Sequence, residues 1–137
     1  MTQMTSDSIT QNRREDDRSR PLDRDETTNL ISSDKVDGTA VYAGNGEKVG
    51  HVHHLMIGKR NGRVEYAVMS FGGFLGLGES YHPIPWEALD YDTDKDGYVV
   101  AIDKSKLEDA PHYQAGALPP YDSAYGNQVY NYYGVLY

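Results

Sequence analysis

The sequence predicts a mainly β protein: a small closed or partly open antiparallel β-barrel with one or two short helical turns and irregular termini. Three observations lead there. Turn pairs stand at Asn45-Gly46, Asn61-Gly62 and Asp96-Gly97, and both residue types tolerate the positive φ of tight hairpins. No segment between them holds helical periodicity for even three turns. Glycines also interrupt the apolar runs, as kinks do in short curving strands, and closure into a barrel removes exposed edges.

Residues 1–34 carry five arginines and eight acids with few apolar side chains, so burial there cannot offset the entropy of ordering and a disordered polar arm is expected. The barrel domain is expected over 35–113. Its first strand is Thr39 to Tyr42, and after the Gly44-Asn45-Gly46 turn a second runs from Glu47 through Val49, Val52 and Leu55 to Ile57. Gly50 inside it marks a bulge or a close approach of another backbone. The third strand organises the rest: Val64, Tyr66 and Val68 alternate with Glu65, Ala67 and Met69 until Phe71. A corner of glycines at 72, 73, 76 and 78 then carries Phe74, Leu75 and Leu77. Tyr81 to Ile84 follows with Pro83 and Pro85, an edge strand because proline cannot donate to a ladder. Trp86 to Leu89 is one helical turn, Tyr98 to Ile102 a buried strand, and Ser105 to Asp109 a second helical turn stopped by Pro111.

The tail, 114–137 with Tyr113 before it, holds Tyr121, Tyr125, Tyr130, Tyr132, Tyr133 and Tyr137. Counted by its tyrosines, the spacing fits neither helix nor strand. The tail is therefore either an interaction arm, since tyrosine offers large amphipathic contact area, or a flap over the domain's own surface or its dimer mate. Roughly 75 residues must supply the core, a size at which oligomerisation or added cover helps.

The net charge of −8 opposes binding to nucleic acid or anionic lipid. Absence of cysteine removes thiol chemistry and thiolate metal sites. No run approaches the roughly 20 apolar residues of a membrane span, and the N-terminus lacks the apolar centre of a secretory signal, so a cytoplasmic location is expected. Asp92, Asp94 and Asp96, with Gly97 and Asp103, satisfy the spacing of a calcium loop. Flanking prolines and a β-rich run argue instead for a plain Asp-Gly hairpin. His51, His53 and His54, of which His51 and His53 share one face of a regular strand, form a second candidate for a metal, with His82 and His112 the remaining histidines. No Lys-Ser/Thr follows the glycine corner and no serine sits in a nucleophile elbow, so no phosphate loop, catalytic residue or cofactor is expected.

Three linked stretches carry a family resemblance: KVGHVHHLMIG, then GRVEYAVMSFGGFLGLGESYHPIPWEAL, then DGYVVAIDKSKLEDAPHY. Together they resemble the PRC-barrel domain, named for the cytoplasmic domain of the photosynthetic reaction-centre H subunit, over roughly 35–113. The resemblance implies a non-catalytic assembly or interaction module. In one branch such a barrel caps a membrane complex; in another it accompanies a second barrel and binds a ribosomal protein. This chain shows neither a transmembrane helix before the barrel nor a second barrel, and its tail resembles those of stand-alone bacterial members. The expectation is a protein-binding module that forms a homodimer, contacting its partner through Phe74, Leu75, Leu77 and Trp86, with Tyr132 and Tyr133 adding to that surface. The partner would be a second copy, another protein, or a membrane or ribosomal assembly. The alternative is a cation sensor built on the Asp92–Asp103 loop or on the strand histidines.

Overall fold

The computed structural model describes residue 27, residues 29–72 and residues 78–137. Most of the N-terminal arm and the centre of the glycine corner, with Phe74, Leu75 and Leu77, lie outside the described residues. In the unit ending at Ser32, Thr27 Oγ1 accepts from the amides of Asn29 and Leu30. The unit from Ser33 to Tyr137 is the barrel with its tail.

That second unit begins with one helical turn, α1 (Ser33–Val36), followed by strands β1 (Ala40–Tyr42), β2 (Lys48–Ile57), β3 (Val64–Phe71) and β4 (Ser80–Pro85). A 3₁₀ turn, Trp86–Ala88, leads into β5 (Leu89–Asp92) and β6 (Gly97–Val100); then come α2 (Lys104–Glu108) and α3 (Ser123–Tyr132). All six strands form one sheet in the order β4-β3-β2-β1-β6-β5. Its pairs are antiparallel except β1 with β6, which is parallel. β6 ends at Val100, short of the expected Ile102, because the Ile102 carbonyl accepts from Gly44 and bends the chain away.

The two edges of this sheet are consecutive in sequence. Laid flat, six strands would hold β4 and β5 about 24 Å apart, whereas the four Cα steps from Pro85 to Leu89 reach at most about 15 Å. The sheet must therefore curl, and it forms a half-barrel. Register slips at Val41/Tyr42, Val52/His54 and Met56/Ile57 place bulges along β2 and its neighbours, and bulges bend strands and increase twist. Gly50 lies opposite both Val41 and Phe71, and a Cβ there would run into the Ser70 carbonyl oxygen. The close approach expected at this glycine is what the structure holds.

Pairing register sorts the side chains onto two faces. Val41, Val52, Ala67, Met69, Phe71, His82 and Ile84 share one face, all buried. Tyr66, Val68, Ser70, Pro83 and Pro85 share the other, and they are buried as well. The second face is closed by the tail. There the expectation of an irregular tail fails, for Ser123–Tyr132 is helical. Asp122 caps its first turn by accepting from the Tyr125 amide at 2.9 Å, and Gly134 at φ 72 follows its end. Tyr125, Val129 and Tyr133 recur every fourth residue, so they line one side of the helix. Val129 and Tyr130 pack on Tyr66, with Met56, Tyr121, Tyr125, Tyr133 and Val135 around them.

Two substitutions test this arrangement by urea unfolding. Gly50→Ala is expected to lower stability by about 2 kcal/mol through the forced separation of β2 and β3. Val129→Ala, at a side chain with no exposure, is expected to cost about 1–2 kcal/mol. A midpoint unchanged in the second variant would mean that the helix does not seal the sheet.

Candidate functional site

Trp86 is half-buried, its ring 5.5 Å from that of Tyr98, which meets Tyr91 edge-on at 5.1 Å. It belongs to a different aromatic group from the tail tyrosines. Tyr132 donates its hydroxyl to the Lys106 carbonyl at 2.6 Å, while the Lys106 ammonium lies 5.7 Å from its ring centroid. Tyr133 packs into the cluster around Val129. Tyr130 donates to the Glu65 carbonyl at 2.9 Å and so ties the tail helix to β3. Burial pushes the phenols of Tyr66 and Tyr125 up to about 12, with neighbouring phenols and Glu65 adding to the effect at Tyr66. These rings act as neutral packing groups at physiological pH.

The four aspartates are not gathered into a cation site. Asp92 Oδ1 accepts from the amides of Asp94 at 2.9 Å and Lys95 at 3.3 Å, which fixes the β5–β6 turn. Asp96 takes φ 49 in that turn. Asp103 caps α2, accepting from the Lys106 amide and the Ser105 hydroxyl, each at 3.0 Å. Those two bonds hold its carboxyl below the usual range. Among the described residues no three histidine, aspartate or glutamate side chains are placed to hold a metal ion together.

Four of the five histidines fall into two pairs. The slip after Val52 brings the exposed His53 beside the half-buried His54, with their Nδ1 atoms 2.8 Å apart and their rings edge to face at 5.1 Å. Burial and the neighbouring His53 lower the pKa of His54, while Asp37 opposes them. The ring of His53 also meets that of Tyr81 at 5.1 Å. Tyr81 in turn exchanges both backbone hydrogen bonds with Tyr113 on the outer edge of β4.

The second pair was missed by sequence reasoning. His82, 1% exposed, stands on the apolar face opposite Met69. Its ring lies 4.9 Å from Phe71 and is stacked 4.9 Å from the exposed His112. Nε2 is 2.9 Å from the Ser80 hydroxyl, and Nδ1 meets no partner among the described residues. His112 is itself fixed, its Nδ1 2.7 Å from the Ala110 carbonyl. A signal was present: Ser80 and His82 alternate into the same face as Ile84, so a polar residue occupies a position the strand period assigns to the core. Burial first, then the nearness of His112, lowers the pKa of His82 to about 4.

With the curled sheet and its tail in view, comparison with known sequences places the molecule among small barrel modules. The PRC-barrel domain model matches residues 29–107, more than half of the chain. The chain belongs to the PRC-barrel domain family. An uncharacterized protein of Deinococcus radiodurans is 27% identical over 92 residues, which make up 67% of this chain and 30% of that relative. The chain thus spans less than a third of that relative's length. Among the described residues no helix is long and apolar enough to cross a membrane.

The buried histidine makes stability depend on pH. Unfolded, His82 binds a proton below about 6.5; folded, it resists protonation until about 4. The unfolded chain therefore takes up the proton first, and stability is lost as pH falls through this window. Between pH 7 and pH 5 the loss is expected to reach about 2 kcal/mol, measured by urea unfolding at each pH. His82→Phe removes that share; an identical pH dependence in the variant would contradict the assignment.

Proposed function

We propose that this PRC-barrel protein is a non-catalytic assembly module that binds other proteins and associates with a second copy of itself. The observation that carries the reading is the apolar segment of the glycine corner. Phe74, Leu75 and Leu77 are strung between Gly72 and Gly78, whose φ values of 74 and 73 suit glycine and strain other residues. Two glycine hinges around three large apolar side chains describe a contact element rather than a connection of minimum length. Trp86, half-buried beside Tyr98, supplies a second aromatic contact point of the kind enriched in protein interfaces.

The tail has a different role in this reading. Tyr132 and Tyr133 are engaged by Lys106 and by the cluster on β3, so they serve as cover. The end of the tail instead offers Leu136, 96% exposed. Three carboxylates have structural duties: Asp92, Asp103 and Asp122 hold turns and helix starts. This division supports a binding role over an enzymatic one.

Sedimentation velocity on the full chain tests the proposal. The wild-type protein is expected to sediment as a dimer, and the double variant Leu75→Asp, Leu77→Asp as a monomer with an unchanged circular dichroism spectrum, a weakening of at least a hundredfold in self-affinity. A dimer of undiminished affinity in the double variant would remove the corner from the interface, and a monomeric wild type would remove self-association.

A further inference from the structure

We propose that His53 and His54 form a two-ligand site for a borderline divalent cation, copper(II) or nickel(II), with solvent completing its coordination. Neighbouring residues of a regular strand point to opposite faces, so two successive histidines cannot ordinarily share a ligand. Here the bulge between Val52 and His54 re-aims His53, and the two Nδ1 atoms converge to 2.8 Å. Two imidazole nitrogens each about 2.0–2.1 Å from one metal, at nearly a right angle, lie roughly 2.9 Å apart. The separation in the protein is that of adjacent ligands in a square or octahedral centre.

The surroundings fit such an ion. Without a metal, one ring must turn its Nδ1–H toward the other; with a metal, both Nδ1 lone pairs point inward and both Nε2–H groups face away. The rings stand at 81°, which keeps their edges apart. Tyr81 braces His53 through an edge contact and is itself fastened to Tyr113 by the paired backbone bonds. Asp37 places negative charge near His54, and the chain as a whole carries −8. His51, exposed on the same strand, stands opposite Ser70.

Ligand chemistry sets the choice of ion. Two imidazoles with open positions suit copper(II) or nickel(II), which accept nitrogen ligands in tetragonal arrangements with water. Structural zinc calls for four protein ligands and calcium for six or more oxygens; the pair supplies neither.

The test is a titration of the tag-free full chain with copper(II) at pH 7.5, followed by calorimetry and electron paramagnetic resonance. One equivalent is expected to bind, with splitting from two imidazole nitrogens, and the melting temperature is expected to rise with copper concentration by mass action. His53→Asn and His54→Gln are each expected to weaken binding at least tenfold and to remove one nitrogen from the spectrum. His51→Asn should leave both unchanged. Copper bound with the same affinity and spectrum in the His53→Asn, His54→Gln double variant would place the ion elsewhere and overturn the proposal, as would an absence of binding by the wild-type chain.

Discussion

Three residues, Trp86 to Ala88, carry the chain from one edge of the sheet to the other, and the shape of the whole domain follows from that short link. A flat sheet is geometrically impossible with such a connection, so curvature has to be found strand by strand. β2 supplies much of it, since three register slips fall along its length or opposite it. Gly50 permits the tightest approach, and Pro83 and Pro85 are tolerated because the strand that holds them is an edge. The same sheet sets β1, its first strand in sequence, beside β6, its last, in parallel.

A curled sheet of short strands leaves its outer face bare, and this chain covers that face with its own tail. The consequence is that β3 is buried on both sides from Tyr66 to Phe71. Tyrosine is well suited to such a cover. Its ring removes apolar area from water while its hydroxyl can reach a carbonyl, as Tyr130 does at Glu65 and Tyr132 at Lys106. Where a hydroxyl is buried with no partner among the described residues, as at Tyr125 and Tyr133, the packing comes at the cost of a lost hydrogen bond to water.

Much of this was legible in the residues. The three turn pairs delimit the strands as observed, and the edge position of the proline strand follows from chemistry that any reader of Pro83 and Pro85 can apply. The family was legible because its turns and corner are local in sequence. The tail helix was legible too, but in a different alphabet: Asp122 as cap, Gly134 as stop and the every-fourth-residue set that includes Val129. Counting tyrosines alone hid that period, because Tyr130 and Tyr132 interrupt it. The pairing of His53 with His54 could not be read at all, since it depends on where a bulge falls in the register of β2 against β3, and register is a property of two strands. The aspartates of the β5–β6 turn read as a plain Asp-Gly hairpin, and there the Asp92 carboxylate accepts from nearby amides.

The cover over β3 also has an order in time. Tyr130 is bonded to a residue 65 positions before it, and a ribosome adding roughly 5–20 residues per second needs about 3 to 13 seconds to make that interval. Throughout it, Tyr66 and Val68 have been translated while the helix that shields them has not. The nascent chain must therefore carry a bare apolar face for seconds, a span in which chaperones, premature contact between neighbouring chains on one messenger and the arriving tail all compete for the same surface.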